Sequence, residues 1–140
     1  MVQKTTTLLP KGCRLITLPG VQDERGFLTF AEGQNQIPFR IDRVFWIYDV
    51  PEGKERGGHA HRTCAEVVVP VAGAFTMVVD DGTLRVSVRL DSPQTGILIP
   101  AGVWCELKDF APGTVCVVAA SQAYDSEGYI HCYEEYLKQK

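Results

Sequence analysis

The sequence has no excess of positive charge, no paired cysteines, no long apolar run and only three histidines. Each shortage removes a class of function. Fourteen Lys and Arg against seventeen Asp and Glu leave a net charge of -3, so no global positive field collects nucleic-acid phosphates. Nucleic acid is therefore not an expected partner. The five cysteines, Cys13, Cys64, Cys105, Cys116 and Cys132, are odd in number and contain no Cys-x-x-Cys pair. That spacing argues against a disulfide framework and against a zinc knuckle, and reduced, mostly buried thiols are expected. No stretch approaches about eighteen uninterrupted apolar residues, and the segment from Met1 to Gly12 lacks the apolar core of a signal peptide. No membrane partner is expected, and the cytoplasm is the default location.

A chain of 140 residues with 45% hydrophobic and 22% charged residues is long and apolar enough to bury a real core as one domain, residues 1–140. Repeats, low-complexity tracts and linkers are missing. Short extended runs alternate with Gly, Pro and Asp punctuation. Gly26 to Glu32 reads as a strand, as does Arg43 to Val50, which is rich in β-branched and aromatic residues. His59 to Val71 reads as one extended run, broken at Pro70 and Gly73, and Ala74 to Val79 follows it. Asp80-Asp81-Gly82 predicts a hairpin. The strand after it alternates Leu84, Val86, Val88 and Leu90 with Arg85, Ser87 and Arg89, so one face packs and the other meets solvent. Ile97 to Ile99 and Thr114 to Val118 complete the strands. In the tail from Ser126 to Lys140, Ile130, Tyr133 and Leu137 have helical spacing and predict a short terminal helix. Many short strands with almost no helix indicate an all-β sandwich or barrel, and a jelly roll closes its edges most economically at this length.

The chemistry concentrates between Gly53 and Gly73. His59 and His61 stand two residues apart, so on a strand both rings leave the same face, which in a barrel can be the lumen. Two imidazoles in one partly dry cavity can bind a metal or exchange protons near neutral pH. The order Gly53, His59, His61, Glu66, Gly73 resembles the first signature of the cupin family at every fixed position. Pro100-Ala101-Gly102 followed by Cys105 is a partial match to the second, with Cys105 where many cupins have a histidine.

A narrower resemblance rests on Arg25-Gly26, Arg43 to Pro51, Arg56-Gly57-Gly58-His59-Ala60-His61-Arg62, Gly73-Ala74-Phe75, Asp80-Asp81-Gly82 and Pro100 to Glu106. Tyr124-Asp125, Tyr129-Ile130 and Tyr133 to Leu137 fit as well. These segments resemble the cupin-fold dTDP-4-keto-6-deoxyhexose 3,4-ketoisomerases, the WxcM-like sugar nucleotide ketoisomerases, over most of the chain from Arg25 onward. The resemblance implies a cupin jelly roll with a short C-terminal helix, a nucleotide-sugar substrate, no metal or other cofactor, a homodimer, and a role in deoxysugar and polysaccharide biosynthesis. Two departures stand out. Glu66 replaces what is often an amide in that family, and Cys105 replaces a histidine or arginine.

On this reading His59 and His61 are the acid–base pair, and the residues leave open which one acts at carbon. Arg56, at the pocket mouth, is the first candidate for the diphosphate, ahead of Arg25 and Arg43, because phosphate favours bidentate guanidinium partners. Tyr48 is expected to offer its hydroxyl to the sugar, while Trp46, on the same strand face, is expected in the core. Trp104 either covers the sugar or plugs the barrel, and Cys105 is expected beside it at the substrate. Three rivals compete: a metal-dependent cupin using His59, His61 and Glu66, a non-catalytic sugar-nucleotide binding module, and an epimerase acting at C3 and C5 of the same sugars.

Overall fold

The computed structural model describes residues 8–140, and the signal-peptide expectation, which rests on the first residues, lies outside them. In chain order the strands are β1 Arg14–Thr17, β2 Gly20–Asp23, β3 Gly26–Thr29, β4 Arg43–Tyr48, β5 Arg56–His61 and β6 Glu66–Ala72. They continue as β7 Phe75–Asp80, β8 Arg85–Leu90, β9 Thr95–Ile99, β10 Trp104–Lys108, β11 Val115–Ala120 and β12 Tyr129–Ile130, followed by helix α1, Tyr133–Lys138. Two five-stranded antiparallel sheets form, in the orders β1-β9-β6-β11-β4 and β12-β5-β10-β7-β8, and β2 and β3 make a separate hairpin. The architecture is the expected all-β jelly roll with a short C-terminal helix. The two sheets face each other without joining into one closed ladder.

The main core fills the space between the sheets, with Val68, Ile97, Ile99 and Val118 from one and Phe75, Met77, Val79 and Leu107 from the other. β8 keeps the predicted alternation, because Val86, Val88 and Leu90 pack inward while Arg85, Ser87 and Arg89 are exposed. The hairpin before it forms as expected and is held by Asp81, whose side chain accepts from the backbone N–H of Thr83 and Leu84.

Three expectations change. The run from His59 to Val71 breaks at residues 62–65 and not at Pro70, so the histidines and Glu66 belong to opposite sheets. Pro70 stays inside β6, where a register shift against β11 skips Val71, the kind of site that tolerates a residue without N–H. The tail is interrupted: a 3-10 turn at Ser126–Gly128 is followed by strand, with Ile130 paired to Ala60, the α-helix begins at Tyr133, and Tyr136, not Leu137, is the buried anchor. Its hydroxyl donates to the carbonyls of Asp80 and Gly102. The strand predicted to reach Glu32 ends at Thr29.

Candidate active site

The histidine strand owes its aim to two glycines. Gly57 and Gly58 have φ of 77° and 76°, a backbone conformation open to glycine and strained for residues with a Cβ. Here β5 carries a bulge against β10: Cys105 lies opposite His59 and Glu106 opposite Gly57, which leaves Gly58 unpaired. Arg56 then falls opposite Leu107, and both face the interior with His59 and Cys105. A Cβ on Gly57 would meet the Cys105 carbonyl at 3.1 Å.

The interior hollow holds about 170 Å³ and is lined by Arg56, His59, Glu66 and Cys105 among apolar residues of both sheets. It adjoins an outer vestibule of about 350 Å³ lined by Glu55, Tyr124 and His131, and Arg56, Gly57, His59 and Tyr129 belong to both. Together they have the volume typical of a small-molecule site. A larger apolar hollow of about 710 Å³ lies on the outer face of the β1-β9-β6-β11-β4 sheet. Its lining includes no titratable side chain, so the acid–base chemistry belongs to the smaller space.

All three histidines of the chain gather around Tyr129. Its ring lies 4.9 Å from His59 and 4.6 Å from His61, and stacks on His131 at 5.3 Å with 8° between planes. The His59 and His61 rings are 5.0 Å apart. Burial, reinforced by His61 and opposed by Glu66, pushes His59 down from its usual 6.5 to about 4. It is a neutral base at neutral pH. His61 is buried, with Nε2 3.2 Å from Glu66 Oε2 but off the line that a hydrogen bond requires. Arg43 stands behind this pair, 4.0 Å from Glu66 and 3.4 Å from the Tyr129 hydroxyl.

His59, Arg56 and Cys105 reach the cavity, and Arg43 reaches its wall through Glu66 and Tyr129. The others do not. Tyr48 and Trp46 point to the outside of β4, 58% and 61% exposed, because Phe45 and Ile47 take the inward positions. Trp104 faces away from the lumen and packs under α1 with Ala60, Ile130 and Tyr136, its indole N–H donating to Glu106. Arg25 sits at the tip of the β2-β3 hairpin, bound to Asp23 at 2.6 Å with its side chain 86% exposed. For a metal, the donors that converge are His59, Glu66 and Cys105, within 4.8 Å of one another, with Cys105 where the metal rival expected His61. Burial, with Glu66 and Glu106 adding to it, holds the Cys105 thiol well above its ordinary range.

Tyr129 and His131 were not among the predicted site residues. Their i, i+2 spacing is a strand signal, hidden by the helical spacing that Ile130 shares with Tyr133 and Leu137.

A family model described as FdtA, WxcM-like, C-terminal matches residues 11–140. Over 125 residues the chain is 36% identical to the TDP-4-oxo-6-deoxy-alpha-D-glucose-3,4-oxoisomerase of Aneurinibacillus thermoaerophilus, covering 89% of this chain and 90% of that one. A crystal structure of a mutant 3,4-ketoisomerase, QdtA from Thermoanaerobacterium thermosaccharolyticum, in complex with TDP-4-keto-6-deoxyglucose, matches with a TM-score of 0.90. There the identity is 31%, over 94% of this chain and 95% of that one. The dTDP-4-dehydrorhamnose 3,5-epimerase of Bacillus anthracis, 16% identical with a TM-score of 0.75 over 84% of this chain and 77% of that one, shares the fold alone.

Proposed function

Because the chain belongs to the FdtA family of WxcM-like proteins, we propose that it is a sugar nucleotide 3,4-ketoisomerase, converting a dTDP-4-keto-6-deoxyhexose to its 3-keto isomer by histidine acid–base chemistry. The observation that carries the mechanism is a neutral imidazole, His59, at the junction of a small inner cavity and an open vestibule. The C4 ketone acidifies the C3 proton. His59 takes that proton, electron density moves onto the C4 oxygen, and an enediol forms. His59 returns the proton to C4 while the C3 hydroxyl passes its proton to the neighbouring C4 oxygen, which leaves a ketone at C3 and a hydroxyl at C4. His61 holds the His59 ring in place by direct contact. No atom or electron is gained or lost.

The hexose enters the inner cavity, and the nucleotide lies outward. Arg56, which borders both spaces, meets the diphosphate. Glu66 positions His61 by close approach, and Arg43 holds Glu66 from behind. Tyr129 packs against both histidine rings, which also touch each other.

The working unit is a homodimer. Val44, Trp46 and Tyr48 form an exposed apolar row on β4, beside the large apolar hollow that Val44 borders, and such a face favours a second subunit. Arg25 lies outside the linings of its own chain's cavity and vestibule, so it serves the partner's substrate. The free cysteines fit a reducing cytoplasm, and among the described residues no helix is long and apolar enough to cross a membrane. The product would feed deoxysugar assembly for polysaccharide biosynthesis.

The deciding experiment incubates the protein with TDP-4-keto-6-deoxyglucose in deuterated water and follows the sugar by NMR. A 3-keto product with exchange confined to C3 and C4 is the expected result. Exchange at C5 marks an epimerase, and tight binding with no exchange marks a binding module; either outcome overturns the reading.

A further inference from the structure

We propose that His59, Glu66 and Cys105 form a binding site for a zinc-class divalent ion inside the barrel, and that an ion held there switches off the pocket's acid–base chemistry. The three donors come from β5, β6 and β10, strands of two facing sheets, so no local turn brings them together. His59 and Cys105 are direct partners across the β5-β10 ladder, and Glu66 closes the triangle from the opposite sheet. All three border the same hollow, which leaves a fourth position open to water.

The geometry asks for little movement. The donor atoms lie within 4.8 Å of one another, and tetrahedral bonds of 2.0–2.3 Å place ligand atoms roughly 3.5 Å apart. Side-chain rotation of about an ångström closes that difference while the strands stay fixed. A thiolate, an imidazole and a carboxylate suit zinc or cobalt and exclude magnesium, which prefers oxygen ligands and keeps its waters. The ion enters as M²⁺, the Cys105 S–H proton leaves to solvent, and His59 contributes a lone pair, with no change in oxidation state. Arg43, 4.0 Å from Glu66, opposes the incoming charge and keeps the binding reversible.

The switch follows from the same electrons. A nitrogen whose lone pair is bound to an ion cannot accept a proton from carbon, and a carboxylate turned to the ion gives up its contact with His61. Ion binding stands on the geometry alone. The loss of turnover rests on the reading of His59 as the base.

The test titrates metal-free, full-length protein with Co²⁺. Expected are one equivalent bound, a near-ultraviolet thiolate-to-cobalt absorption band that Zn²⁺ displaces, and a parallel loss of isomerase turnover that a chelator restores. Cys105→Ser removes the band and Glu66→Gln weakens Co²⁺ binding at least about tenfold, with circular dichroism reporting that each variant is folded. Titration without the band, or with the band intact in Cys105→Ser, overturns the site. A full band with undiminished turnover keeps the site and overturns the assignment of His59 as the base.

Discussion

Arg56 and His59 share the inner face of β5 although they are three residues apart, because Gly58 is bulged out of the ladder and reverses the alternation before it. In an unbroken strand one of them would face outward. Deleting Gly58 would leave Arg56 two residues from His59 and still on the inner face, so the contact is tested by Arg56→Ala, which removes the guanidinium while His59 keeps its place. KM for the nucleotide sugar is then expected to rise at least about tenfold, the scale of one lost charge-assisted contact, with a smaller change in kcat. A larger loss in kcat than in KM would remove Arg56 from the diphosphate.

His59→Asn keeps the size of the ring's first polar atoms and removes its basicity. A positioned acid–base group contributes about 10²–10⁴-fold, so kcat is expected to fall by that factor. TDP affinity, measured by calorimetry, should stay within about threefold, because a residue that acts at carbon has little to do with holding the nucleotide. A variant that loses affinity as fully as turnover would make His59 a binding residue.

The same ring makes stability depend on pH. The unfolded chain takes a proton on His59 near pH 6.5, whereas the folded chain resists until about 4 because burial disfavours the cation. Between those values the unfolded state binds more protons, so stability rises with pH from about 4 to 6.5 and is fully present above 6.5. The gap is worth at most about 3 kcal/mol, less where water reaches the ring. Thermal melts should show Tm falling as pH drops through this window, and His59→Asn should flatten that slope. An equal slope in both proteins would mean that the ring is not desolvated.

Much of this site could be read from residue order, since the His59 and His61 pair needs only the strand period to share a face. The bulge could not, because it exists only in the register between β5 and β10, and the double glycine before His59 is its one local trace. Alternation groups Val44, Trp46 and Tyr48 on one side of β4 but cannot say which side is inside. Phe45 and Ile47 won the interior, which turned Tyr48 away from the substrate. Trp104 and Cys105 are adjacent and therefore face opposite ways, so only Cys105 lines the cavity. Tyr129 and His131 were masked by a helical period that their neighbours satisfy by coincidence.

The terminal helix is tied down by two hydroxyls, that of Tyr133 on the Asp80 carboxylate and that of Tyr136. Tyr136 donates to the carbonyls of Asp80 and Gly102 at 2.9 and 2.7 Å, and Gly102 in turn donates its N–H to the His61 carbonyl. Tyr136→Phe removes the hydroxyl from the Asp80 carbonyl while the Gly102 carbonyl keeps the Lys140 ammonium, and should cost about 1 kcal/mol, read as a lower midpoint in urea. Turnover should stay near that of the parent at temperatures where the variant is folded, because the ring still fills its place against Trp104.

Arg25 tests the dimer itself. It stands at the tip of a hairpin outside the linings of the cavity and vestibule of its own chain, so any action on substrate crosses to the second subunit. Arg25→Ala and His59→Asn each impair every site in their own homodimers. In a mixed dimer the lesions segregate: one pocket combines both, and the other has an intact His59 with Arg25 supplied by the His59→Asn protomer. Co-expressing the two variants gives mixed dimers in about half the population, each with one working pocket, so about a quarter of the parent turnover should return. Trp46→Glu places a charge in the exposed apolar row and should shift the protein to monomer in light scattering, abolishing the complementation. If Arg25 acted within its own chain, no mixture of the two variants would recover activity, because every pocket would lack one residue or the other.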